Sequence, residues 1–432
     1  MDAARYPLAE LALQVGTPFF LYDAEILRER IARLVAAIGG GAAGRGGEIR
    51  ARYAMKANSA AAVLGIVREH GLWIDAVSGN EVLRAQRAGF AVGPAPPVVM
   101  LTADVFRDNA LSVVTEQGVL PNVGSPGMIG ELRDAGYRGP VALRINPGFG
   151  HGHVQSCDTG GPSAKHGVWH EDLAALRHMA ADARLPVAVL HAHVGTGPAV
   201  GEFDENLRRL RDFFAALLPD FPDATGVNLG GGIPHAYRPG EPAYDIEAYG
   251  AIVRDAAVQL SRVARRPLRI EIEPGRWPAV AMGLLVARVK DVKDTRGNAK
   301  GQGHRFVMVD AGFNDLVRPA MYGAYHHISI VGAGAGRPPE PLVVAGPLCE
   351  SGDVFTRDDR ELLVPRLLPR PDVGDLLVLH DAGAYGAAMS SNYVSLGRAP
   401  QVLWDAGRAR LIARRETLDD VARAECDEPL SV

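Results

Sequence analysis

The feature that most constrains this chain is an alternation, repeated eight times between Ile49 and Glu273, of a short apolar run with a mostly amphipathic stretch. The runs are IRARYA from Ile49, LWIDAV from Leu72, VVML from Val98, GVLPNV from Gly118, VALRIN from Val141, VAVLHAHV from Val187, GVNLGG from Gly226 and LRIEIE from Leu268. Between them, stretches such as NEVLRAQRAGF from Asn80 and FDENLRRLRDFFAALL from Phe203 carry apolar residues at helical spacing. Repeated strand–helix units predict a parallel sheet, and eight of them predict closure into a (β/α)8 TIM-like barrel.

The flanks read differently. PFFLYD from Pro18 predicts a strand, and Asp23 is placed to cap the helix AEILRERIARLVAAI, whose stripe is Ile26, Leu27, Ile31, Leu34, Val35 and Ile38. The glycine-rich GGGAAGRGGE that follows predicts a surface loop. After Arg276 come LLVARVKDV, HRFVMVDAG, PLVVAGP and GDLLVLHDAG, separated by Gly and Pro, which predict an all-β domain. The expected division is a barrel over 24–283 and a C-terminal β-domain over 284–432, joined by the N-terminal segment 1–23.

A length of 432 residues suits two cores rather than one, and 47% hydrophobic with 22% charged residues is a globular balance. A net charge of -4 supplies no basic field for nucleic acid. Cys157, Cys349 and Cys426 are too few and too scattered for a disulfide framework or a zinc cluster. The N-terminal MDAARYPLAELALQ lacks the basic start and apolar core of a secretory signal, and no apolar run approaches the roughly 20 residues that span a bilayer. The expectation is a cytoplasmic protein without membrane or nucleic-acid partners.

In a barrel, reacting groups sit where strands end. The first barrel run ends YAMKANS with Lys56, the sixth HAHVGTG with His191 and His193, the seventh in Gly230, Gly231 and Gly232, and the eighth IEPGR with Glu273 and Arg276. Taken singly, the lysine reads as a solvated cation and the glycines as a tight turn. Together they match what pyridoxal 5'-phosphate demands: a Schiff-base lysine, a phosphate cradle and an acid opposite the pyridine nitrogen. His191-Ala-His193 also has the His-x-His form of a zinc hydrolase, though no further ligands stand at other strand ends, and His191 would then simply pack behind the barrel. A non-catalytic carrier of the cofactor is a third reading.

Beyond these ends, GTPFFLYDAEILRERI, YAMKANS, DAVSGNE, LRINPGFGHGH, TGGPSAKHG, HVGTG, NLGGG, EIEPGR, VDAGFNDLVRPAMYGAYHHI, VVAGPLCESGDVF and HDAGAYGAAMSSNY occur in order along nearly the whole chain. In these motifs the chain resembles the fold-type-III pyridoxal-phosphate decarboxylases with an alanine-racemase-like barrel, most closely the diaminopimelate decarboxylase family. The resemblance implies that Lys56 carries the cofactor, that Asp75, Glu81 and Arg144 form the charged network around it, and that His193 stacks on its ring. It implies that Thr196, Gly230, Gly231, Gly232, Gly275, Arg276 and Tyr385 hold the phosphate, and that Glu273 faces the pyridine nitrogen. Cys349 in CESGD resembles the family's acid near the substrate α-carbon, reaching the site of a partner subunit in a homodimer; by itself it reads as a buried structural cysteine.

Diaminopimelate carries a second amino-acid head, so its recognition needs a cation for the distal carboxylate and an anion for the distal ammonium. Arg276 and Arg318 with Tyr322 suit the first and Glu350 the second, with Tyr385 alongside. A substrate without that carboxylate would leave Arg318 unpaired; the plain alternative for Arg318 is a surface arginine beside a turn proline. Relatives that act on D-lysine, D-ornithine or carrier-bound amino acids remain open at this stage. The chain departs from the family pattern in Thr196 for serine, in VSLGRAP after Tyr393, and in IPHAY after the glycines, where Pro234 and His235 replace small apolar residues and His235 has no assignable role.

Overall fold

The computed structural model describes residues 1–39, 47–150, 152, 158–197, 200–299, 301–332, 336–428 and 430. The core of the glycine-rich stretch, His151 and His153 of the FGHGH motif, and Cys157 lie outside them. The chain divides into two compact units, one of Ile26–Ala236 with Pro242–Pro278 and the other of Met1–Glu25, Tyr237–Glu241 and Ala279–Val432.

The first strand, β1 (Phe19–Asp23), belongs to the second of these units. The barrel unit follows with β2 (Ile49–Ala54), β3 (Trp73–Ala76), β4 (Val99–Thr102), β5 (Leu120–Val123), β6 (Val141–Asn146), β7 (Val168–Trp169), β8 (Val187–His191), β9 (Gly226–Asn228) and β10 (Arg269–Ile272). Apart from the two-residue β7, which lies along the end of β6, these strands pair in parallel and in order, and β10 returns to β2 to close the barrel. All eight apolar runs form barrel strands. The strand from Val187 stops at His191 and that from Gly226 at Asn228, so His193 and the three glycines lie in loops at the C-terminal mouth.

The helices are set by their caps and stripes. Asp23 Oδ1 accepts the Glu25 N–H at 2.8 Å at the start of Ala24–Ala37, where Leu27, Ile31, Leu34 and Ile38 are buried while Ile26 and Val35 flank the stripe. Asp245 caps Ile246–Ala264 in the same way, accepting from the Glu247 and Ala248 amides.

Alternation along the strands places an unusual layer inside the barrel. Met100, Leu120, Ala142 and Val189 form an apolar cluster there, but Arg52 and Glu271 are both fully buried. Arg52 Nε and Nη2 donate to the two Glu271 oxygens at 2.7 and 2.9 Å. Arg52 Nη1 also donates to the carbonyls of Ile74 and Val98. Arg269 and Asn228 donate to Glu271 as well, and the guanidinium carbons of Arg50, Arg52 and Arg269 lie 5.4, 4.7 and 5.3 Å from the Trp73 ring centre. The arginines hold the Glu271 carboxyl below its ordinary range against the burial that would raise it.

The second unit adds β11 (Gly283–Asp294), β12 (Arg305–Val309), β13 (Ile328–Val331), β14 (Pro339–Ala345), β15 (Arg366–Pro369), β16 (Leu376–Leu379), β17 (Gln401–Asp405) and β18 (Arg408–Ala413). They form a mixed sheet in the order β15-β14-β12-β11-β1-β17-β18, with β16 also on β11 and β13 on β16. β1 is antiparallel to β11 and parallel to β17, which ties the N-terminal segment into this sheet. Leu8, Leu11, Phe19, Leu21, Leu284, Val286, Val378 and Val402 share one core. The expected β architecture is present with short helices added, Leu8–Val15, Arg318–Tyr322 and Leu418–Ala422. No helix among the described residues is long and apolar enough to cross a membrane.

Removing one partner of a buried ion pair strands the other charge. Arg52→Met is therefore expected to destabilise the protein by about 3–5 kcal/mol, read as a lower urea midpoint. An unchanged midpoint would show that Arg269 and Asn228 alone suffice for Glu271.

Candidate active site

Lys56 leaves the mouth end of β2 in a single 3-10 turn, Met55–Ala57, and its side chain is exposed. The turn is braced from behind by the EPGR loop: the Ala54 N–H donates to the Pro274 carbonyl at 3.1 Å, and a Cβ on Gly275 would lie 3.0 Å from that of Ala54. A side chain at position 275 would therefore need Ala54 to give way by a few tenths of an ångström.

The buried Asp75, Arg144 and Glu273 and the half-buried Glu81 belong to the same unit as this lysine. Asp75 lies within β3, and its carboxyl is pushed up by burial and by the charge of Glu273, with Lys56 and a Thr102 hydrogen bond opposing. Its Oδ1 is buried and has no hydrogen-bond partner among the described residues. Glu81 sits in the helix Gly79–Arg87, where Ser78 Oγ accepts the Glu81 N–H at 3.1 Å and Glu81 Oε2 accepts the Val77 N–H at 2.7 Å. The DAVSGNE motif is thus a capping arrangement that also brings a carboxylate within the field of Lys56. Arg144, in β6, has Nη1 3.7 Å from Asp104 Oδ1.

Glu273 follows β10 directly and is buried. Its Oε1 accepts from Asn228 Nδ2 at 2.9 Å, and its carboxylate lies 3.1 Å from His191 Nε2. Although burial would raise its pKa, His191, His193 and Lys56 together hold it well below the usual carboxylate range. Of the two buried carboxyls that feel each other's charge, Glu273 keeps the negative charge and Asp75 tends to hold its proton. His191 is accordingly inside the barrel as the partner of Glu273, not packed behind it, and its buried Nδ1 has no partner. Among the described residues, no three His, Cys, Asp or Glu side chains gather as a metal would require.

The glycine turn joins these pieces. Asn228 Oδ1 accepts the Gly230 N–H at 2.8 Å, and Gly231 donates to His193 Nδ1 at 3.3 Å. A Cβ on Gly231 would stand 2.1 Å from the Glu273 carbonyl oxygen, and Gly232, at φ +102°, would meet the Gly195 carbonyl at 2.3 Å. Larger residues have no room. His193 accepts at Nδ1 and lies 3.4 Å from Thr196 Oγ1 at Nε2. Burial, then the charges of Lys56 and Arg144, push its pKa well down, so it is a neutral ring.

Apart from Arg276, which is buried and belongs to the barrel unit, the remaining predicted residues belong to the other unit. Arg318 opens the helix Arg318–Tyr322 and is 2% exposed, which overturns the surface-arginine alternative. Cys349 and Glu350 are exposed, so the buried structural cysteine is overturned too. Their loop is folded over Asp353, whose two oxygens accept the Phe313 and Leu348 amides at 2.7 and 2.8 Å. Tyr385 takes φ +59°, a left-handed conformation uncommon for tyrosine, between Gly383 and Gly386, each too closely packed to carry a Cβ.

Sequence reading missed Asn228, His191 as the Glu273 partner, and Asp104. Asp104 is clamped by Lys165 at 2.8 Å and His166 at 2.9 Å, both from TGGPSAKHG, and these bonds hold its carboxyl far down against burial. The signals were a polar residue at a strand end, in NLGGG and HAH, and the pairing of TGGPSAKHG with an acid distant in sequence.

The residues present fit pyridoxal phosphate: a lysine at the mouth, an ionised carboxylate fixed beneath it, a neutral imidazole, and a glycine turn with no room for side chains. The Asp75 carboxyl, raised above its unfolded value near ~4, binds its proton more tightly in the folded state. Its contribution to stability is therefore present at low pH and is lost as pH rises from about 4. For the cofactor-free protein, the melting temperature of Asp75→Asn relative to wild type should climb as pH is raised from about 4 to 8. A difference that stays flat would mean that Asp75 is ionised in the fold.

Comparisons with known proteins follow the same division. Residues 29–280 match the model of the pyridoxal-dependent decarboxylase pyridoxal-binding domain. The chain is 40% identical to the diaminopimelate decarboxylase of Escherichia coli strain K12, covering 98% of this chain and 97% of that protein. It is likewise 40% identical to that of Streptomyces coelicolor, over 97% and 92%. A crystal structure of a diaminopimelate decarboxylase superposes with a TM-score of 0.86 at 39% identity, covering 96% of this chain and 95% of that one. That from M. jannaschii, in co-complex with L-lysine, gives 0.85 at 29% identity over 98% and 95%. With a pyridoxal-binding domain matched over residues 29–280 and likeness running the length of both units, the chain belongs to the pyridoxal-dependent decarboxylases, in the diaminopimelate decarboxylase family.

Proposed function

We propose that this protein decarboxylates meso-diaminopimelate at its D-centre, releasing CO2 and L-lysine in the last step of lysine biosynthesis. The observation that carries the reading is the ionised, His191- and Asn228-held Glu273 in the barrel that presents Lys56. Near-full-length likeness to diaminopimelate decarboxylases supports the substrate.

Pyridoxal 5'-phosphate, when bound, supplies an electron sink for the pair left behind as the carboxyl group departs. Lys56 Nζ would hold it covalently, and Glu273 would supply the negative charge for its ring nitrogen. His193, neutral, would pack against the bound cofactor. Gly230, Gly231 and Gly232, with Thr196, Gly275, Arg276 and Tyr385, would hold the phosphate. Asp75, Glu81 and Arg144 set the field around Lys56. At the substrate's far end, Arg276, Arg318 and Tyr322 bind the carboxylate and Glu350 the ammonium, with Tyr385 alongside. The proton that replaces CO2 at Cα comes from Cys349 Sγ or from Lys56 Nζ.

The working form in this reading is a homodimer. Exposure of Cys349 and Glu350 on a well-braced loop supports their reaching the site of a second copy. Exposed free thiols at Cys349 and Cys426 favour a reducing, cytoplasmic location.

Purified protein given pyridoxal phosphate and meso-diaminopimelate should yield L-lysine and CO2 in equal amounts, and Lys56→Ala should lose both turnover and the visible absorbance of lysine-bound cofactor. Turnover by Lys56→Ala near the wild-type rate would sink the scheme. No lysine from a wild-type protein with normal cofactor absorbance would move the activity to another amino acid.

A further inference from the structure

We propose that His326 and Tyr237 are positioning residues that aim the Arg318 guanidinium at the distal carboxylate of the substrate. The inference rests on the reading of Arg318 given above. It draws in GAYHHI and IPHAY, two stretches with no other role in the account.

Arg318 Nη1 donates to His326 Nε2 at 2.9 Å, and His326 Nδ1 lies 2.8 Å from the His380 carbonyl oxygen. A carbonyl can only accept, so Nδ1 carries the ring proton and Nε2 offers a lone pair. His326 is 1% exposed and thus locked in one tautomer by groups on both sides. Its neutrality matters. An aspartate or glutamate at this place would orient the guanidinium equally well but would cancel charge that an incoming carboxylate needs, whereas a neutral imidazole fixes direction alone.

The second support is an aromatic face. The Arg318 Cζ lies 5.2 Å from the Tyr237 ring centre, and the Tyr237 and His326 rings meet edge to face at 5.8 Å and 69°. Tyr237 is itself anchored. Glu241 Oε2 accepts both the Tyr237 and the Arg238 amides at 2.9 Å, and the Arg238 and Arg366 guanidinium carbons lie 4.3 and 3.8 Å from the Tyr325 ring centre. The short excursion Tyr237–Glu241 belongs to the same compact unit as Arg318 and His326.

The test uses the holoenzyme and two competitive probes, L-lysine, which keeps the distal carboxylate, and cadaverine, which lacks it. His326→Leu and Tyr237→Leu are expected to raise KM for meso-diaminopimelate and weaken L-lysine by about 10-fold, with kcat, cadaverine inhibition and cofactor absorbance little changed. Tyr237→Phe, which keeps the ring, should restore KM, and His326→Gln, which keeps an acceptor, should recover part of it. Equal weakening of both probes, or an unmoved KM, would overturn the inference. Arg318→Gln separates the layers: if it weakens L-lysine selectively and the His326 and Tyr237 variants do not, the positioning claim alone fails. If Arg318→Gln has no selective effect, the role of Arg318 fails first and the inference falls with it.

Discussion

A carboxylate can stay ionised inside a barrel only if the protein replaces the water it has lost, and this one constraint organises much of the structure around Glu273. His191 and Asn228 donate to it directly. Asn228 in turn touches Glu271, and Glu271 is tied to Arg52 and Arg269, which crowd around Trp73. The charge at the mouth is thus the top of a continuous polar column through the barrel. The same column shapes the loops, because Asn228 also fixes the Gly230 amide and Gly231 packs on the Glu273 backbone. The glycine turn and the carboxylate cannot be altered independently.

The charges at the mouth are sorted by the same physics. With Glu273 held ionised, a second buried carboxylate close by is costly, and Asp75 rises. His193, facing Lys56 and Arg144, is kept neutral. The site therefore presents one fixed anion and one uncharged ring in the same unit as Lys56. Asp104, clamped by Lys165 and His166, brings a further fixed negative charge beside Arg144.

Much of this was legible in the chain. Apolar runs marked every barrel strand, since strands covered by helices need one continuous apolar face. The strand ends named Lys56, His193, Gly230 to Gly232 and Glu273, because a barrel presents its chemistry there. What escaped was the inner polar column. In IRARYA and LRIEIE, Arg52 and Glu271 alternate with apolar neighbours, a pattern that in most sheets marks the wet face. Here the apolar alternates lie on the helix side and the polar ones point inward, which only pairing across β2, β9 and β10 reveals. His191 was misread for the same reason. Cys349 was misjudged in burial when taken singly, since its lone occurrence says nothing of tertiary cover.

The central claim is that Glu273 is an anion whose charge drives the cofactor chemistry, and Glu273→Gln removes that charge with almost no change of shape. With cofactor still bound through Lys56, as read by its visible absorbance, the account predicts that decarboxylation of meso-diaminopimelate falls roughly 100-fold or more. Decarboxylation by that variant within a few-fold of wild type would contradict it.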